Sequence, residues 1–173
     1  MTIPVQMTRR VPWRLVVGAD EAGREYKDAL RDQLLSDPRV DSVQDVGVFD
    51  DEVTAYPIIG IEAAQLVAAG AADRAILVCG TGIGMAISAN KVDGIRATTV
   101  ADSLSGERSI LSNNCQVITF GQRVIGLALA KRLVSEWLDY VYDGSSGSQQ
   151  KVALIDAFEK QQAAGRNPGN HHQ

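Results

Sequence analysis

The chain is expected to fold as a parallel α/β protein, with helices on both faces of one sheet. Two observations carry that expectation. Short apolar runs such as RAILVCG and CQVITFG alternate with longer segments whose apolar residues recur at helical spacing. The runs also end in glycine or aspartate, as strands feeding into loops do. WRLVVGAD opens the folded part as a buried strand running into a loop at Gly18 and Asp20. EAGREYKDALRDQLLSD follows as a helix, because Tyr26, Leu30 and Leu34 share one face and charges occupy the rest. VDSVQDVGVF is a second strand, and DDEVTAYP a polar loop closing at Pro57. The alanine-rich IIGIEAAQLVAAGAAD makes a helix that stops near Gly70. RAILVCG is the third strand, and a glycine loop leads from it into the helical GMAISANKV. GIRATTVA reads as a fourth strand, DSLSGERSILSNN as a short helix or turn, and CQVITFG as a fifth strand. GLALAKRLVSEWLDYVY is a long helix. DGSSGS is a flexible break, and QQKVALIDAFEKQQAAG is a last amphipathic helix that could reach a partner subunit.

A length of 173 residues suits one domain, expected over 13–162, between a flexible leader at 1–12 and a disordered tail at 163–173. Composition narrows the function. The formal net charge is −4, and Lys and Arg nowhere cluster beyond pairs, which argues against a nucleic-acid surface. No stretch approaches the roughly 20 apolar residues of a membrane helix, and no signal-peptide pattern opens the chain. Cys79 and Cys115 stand in unrelated contexts, as in a reducing compartment, so a cytoplasmic protein is expected. Both histidines, His171 and His172, fall in the polar tail. The folded body therefore lacks the ligands of a zinc site and the base of a Ser-His-Asp triad. Acid/base chemistry near neutral pH falls to cysteine, carboxylate, lysine or a hydroxyl relay.

In parallel sheets ligands bind beyond the carboxyl ends of the strands, which singles out Asp20, Tyr56, Cys79 to Gly84, Asp102 and Gly121 to Arg123. GTGIG follows a strand and opens a helix, so its amides can converge on an anion. It matches neither the dinucleotide nor the P-loop fingerprint, and a tight turn without ligand is the competing reading. Cys79 is either a small core residue or a thiol placed where a helix N-terminus favours the thiolate. Asp20 and Asp102 read equally well as helix caps, Tyr56 as a turn anchor, and Lys91, Arg96 and Arg123 as solvated charges.

Taken together, VVGADEAG, AYP, VCGTGIGMAISANKVDGIRA, ILSNNCQVITFGQRVIG and QQKV resemble the ribose-5-phosphate isomerase type B / galactose-6-phosphate isomerase family over about residues 14–160. The resemblance implies a Rossmann-like three-layer αβα sandwich with a five-stranded parallel sheet and an extended C-terminal helix. It implies a homodimer, or a pair of dimers, with active sites between subunits. It also implies an intramolecular oxidoreductase that interconverts aldose and ketose phosphates through a cis-enediol(ate), using no cofactor and no metal. On it, Cys79 would be the general base and Thr81 a proton shuttle between the substrate oxygens. The amides of Gly80, Thr81, Gly82, Ile83 and Gly84 would stabilise the oxyanion. Asp20, Glu21, Tyr56, Asn113 and Asn114 would contact the sugar, while Arg123 and Lys151 would hold phosphate.

The departures from the family pattern bear on the substrate. Glu21 stands where the family carries histidine after the first strand, and Ser112 where it carries the histidine credited with opening a furanose ring. Gly147 and Lys151 stand at the two C-terminal arginine positions, and Met85 where another branch has a glutamate base. Ribose 5-phosphate closes a furanose through its free 4-hydroxyl. Erythrose 4-phosphate carries phosphate on that oxygen and needs no ring-opening acid. The expected reaction is therefore D-erythrulose 4-phosphate to D-erythrose 4-phosphate. Ribose 5-phosphate isomerisation, or sugar-phosphate binding without turnover, are the alternatives.

Overall fold

The computed structural model describes residues 12–165. Residues 1–11 of the expected leader and 166–173 of the expected tail, both histidines included, lie outside the described residues. In chain order the elements are β1 (Trp13–Ala19), α1 (Arg24–Leu35), β2 (Val40–Asp45), α2 (Tyr56–Ala68), β3 (Arg74–Cys79) and α3 (Ile83–Ala89). They continue with β4 (Ala97–Thr99), α4 (Ser103–Leu111), β5 (Val117–Gly121), α5 (Leu127–Asp139) and α6 (Gln149–Gly165). The strands form one parallel sheet in the order β2-β1-β3-β5-β4. This is the expected Rossmann-like α/β sandwich.

The period-two alternation of each strand sorts its side chains onto two helical layers. Ile76 and Val78 of β3 join Leu15, Val17, Leu30, Leu34, Leu133 and Trp137 on the face covered by α1, α4 and α5. Ala75, Leu77 and Cys79 join Ile59, Ala63, Met85 and Ala89 on the face covered by α2 and α3. Cys79 is thus the last inward residue of a fully buried strand. The register pairs Ala19 with Val78 and Cys79 with Gly121, so β1, β3 and β5 end level with one another. β2 lies on one side of β1 and β3 on the other, and the crevice at that switch receives the loops after β1 and β3.

Three elements differ from the sequence expectation. β2 stops at Asp45, not at Phe49, because Gly47 turns the chain at φ +105°. The freed segment wraps the end of β1, with Ala19 N–H donating to the Gly47 carbonyl and Val48 N–H to the Ala19 carbonyl, both at 2.6 Å. Beneath it the fully buried Lys27 Nζ donates to both Asp45 carboxylate oxygens at 2.8 and 3.0 Å and to the Val48 carbonyl at 3.0 Å. Lys27 belonged to the face expected to be charged and solvated, and burial with a carboxylate partner explains how it can lie inside. β4 is an edge strand of only three residues. α6 buries Val152 alone among its residues. It docks through the Asp156 carboxylate on Arg96 at 2.7 Å and through Glu159, which accepts from Gly94 N–H at 2.8 Å. Leu154 and Phe158, on the other side of the helix, are 71% and 63% exposed.

Candidate active site

The loop 79–84 is held by its backbone. Gly82 takes φ +82°, which favours glycine, and ends the loop as the cap residue of α3. Gly82 N–H donates to Cys79 Sγ at 3.0 Å, so the thiol faces the first amide of the cradle. From beneath, the buried Thr119 hydroxyl donates to the Gly82 carbonyl at 2.8 Å and meets the Thr99 hydroxyl at 3.0 Å. Thr81 is exposed, with Oγ1 3.4 Å from Ile83 N–H. The turn after β5 is stitched to the same loop: Gln122 N–H reaches the Cys79 carbonyl at 2.9 Å and Arg123 N–H the Gly80 carbonyl at 3.0 Å. A Cβ built on Gly80 would stand 3.6 Å from the Arg123 guanidinium, so that side chain lies over the cradle. Met85 is fully buried in the layer under α2.

Asp20 is 8% exposed at the end of β1, and its carboxylate accepts from Ala22 N–H at 3.1 Å. The cap of α1 is Gly23, so Asp20 closes a tight turn and does not cap the helix. Burial is the main cause that raises the Asp20 carboxyl above its ordinary range, and the exposed Glu21 adds to it. The Ala22 and Gly23 amides and Arg123 pull the other way. Gly23 is packed against the end of β3, where a Cβ would come 2.5 Å from the Val78 carbonyl carbon. Tyr56 opens α2 with its ring against Gly84, where a Cβ would meet Cε2 at 2.5 Å. Asp20, Tyr56, the Cys79–Gly84 loop and Arg123 therefore converge at one end of the sheet.

The remaining candidates lie elsewhere. Asn113 and Asn114 precede β5, at the amino ends of the strands, whereas Cys79 lies at their carboxyl ends. Asn114 has φ +49°, a left-handed conformation that asparagine tolerates, and it turns the two neighbours apart. Asn113 borders a cavity of about 430 Å³ beside β4, and Asn114 a separate one of about 310 Å³ next to Trp13. Lys151 is exposed in the first turn of α6. Asp102 is a helix cap, accepting from Ser105 N–H at 2.7 Å, as the competing reading had it. Sequence reasoning missed Thr119 and Thr99, whose alternating positions in β5 and β4 were the available signal.

The profile of the family described as Ribose/Galactose Isomerase matches residues 15–155. D-erythrulose-4-phosphate isomerase 2 of Mycolicibacterium smegmatis is 54% identical over 147 residues, covering 84% of this chain and 97% of that protein. Ribose-5-P isomerase B of Listeria innocua is 42% identical over 147 residues, covering 85% and 97%. The solved ribose-5-phosphate isomerase B of Clostridium thermocellum superposes with a TM-score of 0.80 at 34% identity, covering 86% of this chain and 98% of that one. With fold, matched span and relatives in agreement, the chain belongs to the ribose/galactose isomerase family.

Proposed function

We propose that the protein is a cytoplasmic aldose–ketose isomerase acting on D-erythrulose 4-phosphate and D-erythrose 4-phosphate, with Cys79 as its general base. The observation that carries the base assignment is the Gly82 N–H on Cys79 Sγ, a donor whose bond strengthens as negative charge forms on sulfur. Cys79 Sγ takes a proton from C1 of the ketose. The C1–H electron pair forms the C1=C2 double bond, and the carbonyl pair moves onto O2 as the enediolate. The amides of Gly80, Ile83 and Gly84 stabilise that oxygen as charge develops, while the Gly82 N–H stays with the sulfur. Thr81 carries the proton from O1 to O2, and Cys79 returns its proton to C2, which leaves the aldehyde at C1. Asp20, Glu21 and Tyr56 bind hydroxyls, and Arg123 faces the phosphate end.

Asn113 and Asn114 fit this reading only when a second copy brings them, since in one chain they and Cys79 lie at opposite ends of the strands. A homodimer with shared sites satisfies that requirement, and the exposed Leu154 and Phe158 of α6 suit a subunit contact. Ser112, half-buried at the end of α4, leaves no imidazole to open a furanose, which favours the tetrose phosphate. The test is kcat/KM for D-erythrulose 4-phosphate against ribulose 5-phosphate and ribose 5-phosphate, followed by NMR. The tetrulose phosphate is expected to win by at least about tenfold, a margin of 1.4 kcal/mol in transition-state binding. A preference for the pentose phosphates would overturn the substrate assignment.

A further inference from the structure

The cavity beside β4 is unlike the crevice at the strand ends. Its wall includes Arg96, Arg108, Asn90, Ser105 and Asn113, and no carboxylate. A concavity lined by guanidinium, amide and hydroxyl groups is suited to an anion. The two arginines differ in what they are free to do. Arg96 is committed, with Nη1 on Asp156 at 2.7 Å and Nε on the Asn114 carbonyl at 3.1 Å. The ion partner of Arg108 is Glu107, its neighbour in the chain, and its own side chain is 52% exposed. A solvated pair of that kind contributes little, so the guanidinium can leave it for a better anion.

Position on α4 adds a second argument. Arg108 lies one turn before Ser112, on the same helix face. Its carbonyl accepts from Asn113 Nδ2 at 3.0 Å, which ties the two residues together. Any substrate that touches Asn113 is therefore within the neighbourhood of Arg108. At the other half of the proposed site, Arg123 lies over the glycine cradle beside Gly80. A phosphate dianion carries two charges, and a second cation besides Arg123 suits it.

We propose that Arg108, with the cavity that it borders, takes the phosphate group of the sugar phosphate whose reacting carbons lie at Cys79 of a second copy. The proposal rests on the isomerase reading and adds to it the phosphate-binding residue. In a tetrose 4-phosphate the phosphate is one carbon nearer to C1 and C2 than in a pentose 5-phosphate. A cation next to the hydroxyl-binding Asn113, rather than farther out on α6, suits the shorter molecule.

The experiment compares Arg108→Met and Arg108→Lys with wild type, and Arg132→Met, on exposed surface, serves as control. KM for D-erythrulose 4-phosphate is expected to rise about 10- to 100-fold in R108M with kcat changed far less, as loss of a charge-assisted contact predicts. R108K should recover part of the loss, and inhibition by inorganic phosphate should weaken in parallel. An active R108M with unchanged KM and unchanged phosphate inhibition overturns the proposal. If wild type isomerises no sugar phosphate, the isomerase reading fails. Titration of inorganic phosphate followed by ³¹P NMR then decides the anion site, weaker binding in R108M supporting it and equal binding overturning it. Coexpressed C79S and R108M chains should yield a fraction of sites with wild-type KM, because a mixed dimer rebuilds one site from the two intact halves. Absence of that fraction overturns the placement across two copies.

Discussion

Cys79 and Cys115 are almost equally buried, at 5% and 6% exposure, yet their surroundings assign them different chemistry. Burial pushes the Cys115 thiol up to about 11, with Arg96 only partly offsetting it, so at neutral pH it stays protonated and inert. Cys79 instead receives the Gly82 amide. Iodoacetamide is therefore expected to alkylate Cys79 first and to abolish turnover, with substrate protecting, as peptide mapping by mass spectrometry would read. Labelling of Cys115 alone with loss of activity would contradict the assignment. Cys79→Ser should lower kcat by about 10²- to 10⁴-fold while substrate still binds by calorimetry. Asp20 shows the cost of a site at the same scale. Its carboxyl is raised, so the folded state disfavours the charged form, and ionised Asp20 subtracts stability once pH rises above the ordinary carboxylate range. Asp20→Asn should raise Tm at pH 7, with the gain fading as pH falls and wild-type Asp20 becomes neutral, and should lower kcat/KM. Asp37 has the opposite sign: Arg39 holds its carboxyl low, and that contribution is lost on acidification.

At the scale of elements, the loop after β3 is shaped by the strands beneath it. Thr119 presents its hydroxyl to the Gly82 carbonyl from a fully buried position. Thr119→Val keeps the volume and removes that bond, leaving the Gly82 carbonyl to Ala86 N–H alone. Urea unfolding should show a loss of about 1–2 kcal/mol, and kcat should fall more than KM rises as the Gly82 amide moves off Cys79. This contact also marks where sequence reading ended. Cys79 and the glycine cradle were legible because they are contiguous, and Asp20 and Arg123 because both follow strand ends. Thr119 was not, since its partner is 37 residues away and an alternating strand pattern does not say what an inward hydroxyl meets. Lys27 was hidden in the same way: helical spacing put a charge outside, and only the wrapped segment after β2 supplies Asp45 and the Val48 carbonyl to receive it. The early end of β2 was illegible because VGVF continues the strand's apolar character while Gly47 turns the backbone.

At the scale of the whole molecule, the parallel sheet with helices on both faces followed from the alternation of elements, whereas its strand order did not. Strand direction separates Cys79 from Asn113 within one chain, since Cys79 closes β3 at its carboxyl end and Asn113 precedes the amino end of the neighbouring β5. Phe158→Asp, on the exposed side of α6, is expected to shift the proposed dimer toward monomer in analytical ultracentrifugation and to lower specific activity together with it. A monomeric variant with full activity would sink the shared-site reading. The packing of the glycines has a wider consequence. A Cβ at Gly23, Gly82 or Gly121 would come within 3.0 Å of backbone or side-chain atoms, and at Gly121 it would strike Thr81 Cα at 2.7 Å. Side chains cannot be added there without moving the loop, so the loop proposed to transfer the proton tolerates little change. Arg108 of α4 and Asn113 just after it are exposed instead. Under the proposed shared site, a change of substrate is expected to come through the exposed residues that hold the molecule, while the crowded loop that reacts with it stays fixed.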